Sequence, residues 1–280
     1  MQLPKLTVKQ QEILILLYRH RFLNRIQIQT LMNHKDYKTI NMWLKDLREK
    51  DYVTWIYSTD FTEKTKPAIY YLGINGIRLL KTKNYSIDEL RKRYRESTRS
   101  QTYIDRCLLL ADCRISLKKA NQANAAQPKY SNIRYFCELE AEYQDGYYKF
   151  ITESDLVKPH MCFCKDNYET NEAVTEQSYM LEVFDATLPR YRVRKRLKNY
   201  IEYLEDEEWQ SDTENENPPI ALFVCATKAD LIYCKRATKK LLEDSYEDGI
   251  RMRFTTADKL RAFGVLGKIW EEVVAVEDED

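Results

Sequence analysis

The sequence predicts an α+β protein built in two parts, an N-terminal winged helix-turn-helix and then an α/β domain around a mixed sheet. Three observations predict it. The first 84 residues hold three amphipathic stretches, two β-rich runs around a charged loop, and a further amphipathic stretch. From Thr102 onward, helical and strand patterns alternate. The net charge of +1 conceals a division: Met1–Arg99 has 20 Lys and Arg against 10 Asp and Glu, while the remainder has 25 against 34. At 280 residues the chain exceeds the roughly 100–200 residues of one ordinary core. The expected boundaries are 1–84 for the winged helix, 85–101 for a basic helical connector and 102–276 for the α/β domain.

Thr7 is placed to cap a first helix, because VKQQEILILLYRHRF sets Ile13, Leu14, Leu16 and Leu17 on one face. RIQIQTLM gives a short second helix, with Asn24 as its cap and Ile28 and Leu31 inward. DYKTINMWLKDLREKDYV gives the third, with Asp36 as cap and Ile40, Trp43, Leu44 and Leu47 toward the core. Tyr52–Tyr57 and Pro67–Leu72 then read as a hairpin whose polar tip carries Lys64 and Lys66. A fourth helix over Asn75–Leu80 completes the plan, in which the third helix enters the major groove and the hairpin touches backbone or minor groove.

Off the core stripe, the third helix offers Lys38, Thr39, Asn41, Met42, Lys45 and Arg48. Asn pairs bidentately with adenine, Lys reaches guanine or phosphate, and Thr meets a thymine methyl, so these types suit double-stranded DNA. Together with Lys64, Lys66 and the excess of positive charge, they mark the expected DNA-binding residues. The alternative is a winged helix that mediates protein contacts.

YSIDELRKRYRESTRSQ, from Tyr85, has almost no apolar stripe and reads as a solvated connector or a backbone-tracking arm. TYIDRCLLLADCRISLKKA is apolar at Ile104, Leu108, Leu109, Ala111, Ile115 and Leu117 and should pack on a sheet. FCELEAEY, QDGY and YKFI suggest a hairpin with an Asp-Gly turn. MCFC and SYMLEVF follow as strands. Next come the basic helix after Pro189, the buried strand IALFVCAT, a helix in ADLIYCKRATKKLLEDS, the strand IRMRFTT and a closing helix in LRAFGVLGKIWEEV. That order predicts helices on a mixed sheet. The acidic run EDEEWQSDTENENPP, Glu205–Pro219, has the composition of a mobile insertion or docking loop.

Several classes are disfavoured. The longest apolar run, IALFVCA, falls far short of the ~20 residues of a membrane span. MQLPKLTVKQQ lacks the apolar core of a secretory signal, so a cytoplasmic chain with no membrane partner is expected. The 7 cysteines include no CxxC and read as buried free thiols, not a zinc site or a disulfide framework. His20, His34 and His160 form no HxH pair, and 21 tyrosines single out no nucleophile.

In the second part, Asp155 precedes the strand that ends Leu181-Glu182-Val183. This arrangement resembles the PD-(D/E)xK nucleases and implies a restriction-endonuclease-like α/β domain. The resemblance makes Asp155 and Glu182 the ligands of a Mg²⁺ ion, hard oxygen donors suited to it. Ser154 stands where the motif has Pro. Phe184 stands where it has Lys, and Phe cannot polarise a water, so an ammonium would have to come from Lys195 or Lys198 on the next helix.

More of the chain, from about Val8 to Phe254, resembles the replication-relaxation family of plasmid and conjugative-element proteins. Tyr71, Leu72 and Gly76 meet its Y-x-L-x-x-x-G pattern with altered spacing. Glu182 and Thr187 match the ends of E-x-D-R-x-T, Arg196 stands near the following Lys, and Tyr200 matches its aromatic. Phe184 replaces the Asp of that motif and Asp185 its Arg. The resemblance implies a sequence-specific double-stranded DNA-binding protein of a plasmid or integrative conjugative element, acting in replication, DNA relaxation or conjugative transfer. Its nuclease-like domain would then be catalytically degenerate, need no cofactor, and serve dimerisation or a replication or conjugation partner. The alternatives are a Mg²⁺-dependent endonuclease or nickase using Asp155, Glu182 and Lys195, and a transcriptional regulator.

Overall fold

Three helix starts are fixed by local chemistry. Thr7 and Gln10 exchange side-chain and backbone hydrogen bonds in a capping box that opens α1 (Val8–His20), and Asn24 and Gln27 do the same for α2 (Arg25–Leu31). Asp36 caps α3 (Tyr37–Glu49). The computed structural model describes residues 3–57, 66–127, 129, 132–137, 154–167, 175–206, 208–213, 217–243 and 250–273. They fall into two units, Met1–Ile115 and Ser116–Asp280.

In the first unit, β1 (Leu23–Asn24), β2 (Val53–Ile56) and β3 (Ile69–Leu72) form an antiparallel sheet in the order β1-β3-β2. With the three helices this is the winged-helix arrangement. Ile13, Leu14 and Leu17 of α1, Ile28 of α2 and Ile40, Leu44 and Leu47 of α3 share one core with Tyr70 and Leu72. Leu16, Leu31 and Trp43 pack at its margin. α4 (Ile74–Thr82) presses on the turn between α3 and β2. A Cβ at Gly76 would lie 2.4 Å from the Tyr52 carbonyl oxygen, and one at Gly73 would lie 2.5 Å from that of Asp51. Close approach of backbone to backbone, not a special dihedral, therefore demands these glycines.

The 85–101 segment, expected as a solvated connector, is instead folded into the first unit. Leu90, on α5 (Ile87–Arg93), lies in its core. Beyond a 3₁₀ turn at Glu96–Thr98, the Glu96 carboxylate has no exposure and faces three arginines: Arg21 Nε at 2.7 Å, Arg99 Nε at 3.6 Å and Arg93 Nη1 at 3.8 Å. Arg93 also donates to the Tyr18 carbonyl at 2.8 Å. Burial is the strongest single influence on Arg21 and lowers its pKa, but the hydrogen bond to Glu96, the charge of Glu96 and the nearby Tyr103 and Cys107 together outweigh it and raise it; for Arg93, burial and then Arg21 lower it.

α6 (Gln101–Ala125) supplies Gln27 with acceptors in the first unit, the Leu108 carbonyl at 2.9 Å and Asp112 at 2.7 Å. In the second unit its Asn121 bonds both the N–H and the C=O of Tyr135, at 2.7 and 2.8 Å. Both backbone polar groups of Tyr135 on β4 (Ile133–Cys137) are thereby matched by a side chain.

Six strands form the mixed sheet of the second unit in the order β4-β5-β6-β7-β8-β9, adding Met161–Asn167, Thr175–Phe184, Ile220–Cys225, Met252–Thr256 and Glu271–Val273. β6-β7 and β7-β8 are parallel and the other pairs antiparallel. α7 (Arg190–Glu205) and α9 (Lys228–Leu242) pack on one face, against Phe184, Phe223 and Phe254, whose rings stack across three strands at 5.2 Å spacings. All seven cysteines are free and buried.

Two expectations change here, and a third lies mostly outside the described residues. The closing helix is short: α10 (Ala257–Phe263) stops at Gly264, whose φ of +74° ends it, and the following residues lead into edge strand β9. Part of the acidic run is ordered, since Glu208–Thr213 forms α8 and the buried Trp209 indole donates to the Leu204 carbonyl at 3.2 Å. Phe136 and Cys137 end β4, while the rest of the expected hairpin, including its Asp-Gly turn, lies outside the described residues.

Two substitutions test this packing. Glu96→Gln should cost about 3–5 kcal/mol in urea unfolding, because it leaves buried guanidinium charge without its carboxylate. Gly76→Ala should cost about 1–3 kcal/mol in the same measurement, since the added methyl must displace the Tyr52 backbone.

Candidate nucleic-acid interface

The face of α3 opposite its core stripe carries Lys38, Asn41, Met42 and Lys45, at i, i+3, i+4 and i+7, all exposed. Met42 is 60% exposed although apolar, which no packing in the unit explains. The helix is held from its start. Asp36 accepts the backbone N–H groups of Lys38 and Thr39 at 2.9 and 3.0 Å and the Thr39 hydroxyl at 2.5 Å. These bonds, led by the Thr39 hydroxyl, hold the Asp36 carboxyl below its usual pKa. Thr39 therefore gives its hydroxyl proton to the cap, leaving its methyl and the acceptor side of its oxygen. Lys45 lies 3.8 Å from Glu49, an exposed pair that binds it weakly.

Arg48 differs from its sequence reading. It is half-buried, with its guanidinium 3.8 Å from the centre of the Trp55 ring, so it ties α3 to β2. Trp55 stacks on Tyr57 at 5.4 Å and approaches Tyr70 at 6.3 Å. On α2, Arg25 sits 5.6 Å from the Tyr37 ring. Trp55, Tyr57 and Arg25 thus join the surface although sequence reasoning passed over them. The alternation in VTWIY, which puts Trp55 and Tyr57 on one face, was the available signal. Lys66 is exposed at the foot of β3, and Lys64 lies outside the described residues.

In the second unit the two expected carboxylates occupy opposite environments. Asp155 is fully exposed and pairs with Lys158 at 3.5 Å. Glu182 is 3% exposed and is engaged by Arg196 of α7, whose Nη1 donates to its Oε1. Burial, then the nearby Glu182, pushes the Tyr200 hydroxyl well above the usual phenol range. Glu182, Arg196 and Tyr200, three positions that stood out in the sequence, are thus brought together beneath α7.

Lys195 is exposed on α7, and the ammonium expected from it is not what meets Glu182; a guanidinium one residue later does. Phe184 is a core residue stacked on Phe223. Among the described residues, no three His, Cys, Asp or Glu side chains converge as a metal-binding group. No helix of the described residues is long and apolar enough to cross a membrane.

None of the curated proteins compared with the chain matches it. Among solved structures, a MepR mutant from a multidrug-resistant S. aureus clinical isolate is 20% identical, with 43% of this chain and 77% of that one covered and a TM-score of 0.25. A second S. aureus MepR mutant is 18% identical, covering 44% and 81%, with a TM-score of 0.24. The family model described as replication-relaxation matches residues 14–218, most of the length, and the chain therefore belongs to the replication-relaxation family.

Proposed function

We propose that the protein binds double-stranded DNA at a specific sequence, and that it serves replication, DNA relaxation or conjugative transfer of a plasmid or integrative conjugative element. The observation that carries this reading is the exposed stripe of Lys38, Asn41, Met42 and Lys45 on the third helix of a winged-helix arrangement. Asn41 is the base reader, with Lys45 and Lys38 reaching guanine or backbone and Met42 supplying apolar contact. Arg48 and Trp55 hold the wing at a fixed angle to that helix. Membership of the family supports a role with DNA.

For the second unit we propose a restriction-endonuclease-like domain that does not cut DNA. What supports this is the commitment of Glu182 to Arg196 and the burial of Phe184 in the core. A carboxylate already neutralised by a guanidinium is a poor ligand for Mg²⁺, because the cation would have to displace that charge.

Band-shift assays on a sequence enriched from a random pool test the recognition. Asn41→Ala should lose about 1–3 kcal/mol of discrimination against mismatched sites. Lys45→Ala should weaken all sites alike and reduce the salt slope by about 1. Binding unchanged in the double variant would reject the assignment. Supercoiled plasmid incubated with the protein and Mg²⁺ or Mn²⁺ should stay uncut; nicking that vanishes in Glu182→Ala would restore the endonuclease reading.

A further inference from the structure

Several helical cations in this protein meet a carboxylate one turn away. Lys9 pairs with Glu12, Lys50 with Asp46, Arg91 with Asp88, Lys198 with Glu202 and Arg261 with Asp258. The opening of α7 is dense in cations instead. RYRVRKRLK holds six cations and no acid. Arg196 goes to the buried Glu182 and Lys198 to Glu202, but among the described residues Arg190, Arg192, Arg194 and Lys195 meet no carboxylate. Arg190 lies over the Tyr233 ring of α9 at 4.8 Å, and Arg192 donates to the Tyr191 hydroxyl at 3.1 Å, both neutral partners.

Apart from the contact of Arg190 with Tyr233, the fold gains little from this arrangement. Cations at a helix N-terminus oppose the macrodipole. Arg190 with Arg194, Arg192 with Arg196, and Arg194 with Lys198 are like charges at i,i+4, which repel. The apolar stripe of Val193, Leu197, Tyr200, Ile201 and Leu204 docks α7 without them. The remainder of the chain beyond Arg99 is acidic, so this basic face is also against the local trend.

We propose that the first two turns of α7 form a second DNA contact, in which Arg190, Arg192, Arg194 and Lys195 grip the phosphodiester backbone whatever the base sequence. The inference deepens the DNA-binding reading and rests on it. Guanidinium predominates over ammonium, and its planar fork matches phosphate oxygens two at a time. Tyr191, 68% exposed between two arginines, adds a hydroxyl donor to the same face.

The full-length chain carrying Arg194→Gln and Lys195→Gln tests it, by fluorescence anisotropy with a short random-sequence duplex and with the enriched sequence across a salt series. The slope of log affinity against log salt should fall by about 2, roughly 0.9 per lost phosphate contact. Affinity for both duplexes should drop by the same factor, with discrimination and the thermal midpoint unchanged. Arg194→Glu with Lys195→Glu should lower affinity further. Unchanged slope and affinity in both pairs overturn the proposal, as does selective loss of the enriched sequence alone. Binding to poly-glutamate in place of DNA, abolished by the neutral pair, overturns it in favour of an acidic protein partner. Asn41→Ala separates the two readings: if it leaves discrimination intact while the α7 pair lowers the slope, base recognition by α3 fails and the backbone contact stands.

Discussion

A carboxylate on the inner face of a sheet has to be matched, and the second unit is organised around that requirement. Strand periodicity places Met180, Glu182 and Phe184 on the same side of β6, and that side is covered by α7. Two of the three fill the core. The third would be an isolated charge among apolar neighbours, a costly state, unless the covering helix brings a cation. Arg196 brings it, from a position that is half-exposed and keeps part of its guanidinium in water. The pair acts together with the apolar stripe of Val193, Leu197, Tyr200, Ile201 and Leu204 in seating α7 on the sheet. Its worth is in orientation more than in net stability, as is usual for buried ion pairs.

The first unit solves a different problem, holding a polar helix face still. α3 is anchored at its start by the Asp36 cap, along its length by Ile40, Leu44 and Leu47, and near its end by Arg48 on Trp55. The backbone after it is clamped by α4 through Gly73 and Gly76. Side chains of the outer stripe are therefore carried on a rigid rod whose rotation is set by the core. Rigid presentation lowers the entropy lost when such side chains meet a partner.

Features set by near neighbours in the chain were legible in the sequence. The caps at Thr7, Asn24 and Asp36, the core stripes of α1 and α3 and the mixed sheet all follow from periodicity and residue type. What stayed hidden depends on distant partners. Arg93 and Glu96 look solvated in a run of charges, and their burial depends on Arg21 and Tyr18, some 75 positions earlier. Nothing local in the sequence shows that Glu182 meets Arg196 or that Arg48 lies over Trp55. GVLGKIW has a helical balance of apolar and polar residues, yet Gly264 takes a left-handed conformation that stops the helix. Trp209 lies in a run whose composition argued for mobility, yet its indole is buried and bonded to Leu204 within a short helix.

Net charge, like burial, depends on partners distant in the chain. The excess of ten positive charges in Met1–Arg99 is not spread as a uniform field, since Glu96 absorbs three arginines and Glu89 and Asp88 hold Lys92 and Arg91. The deficit of nine in the remainder conceals a helix whose first six residues carry four cations without a carboxylate. A phosphate within a Debye length, about 10 Å at 0.1 M salt, responds to the nearest uncompensated charges and hardly at all to a segment total. Counting cations that lack a partner, element by element, therefore locates the surfaces that can release counterions. Among the described residues one face of α3 and one end of α7 carry such cations, and several of the arginines in Met1–Arg99 are already matched by carboxylates.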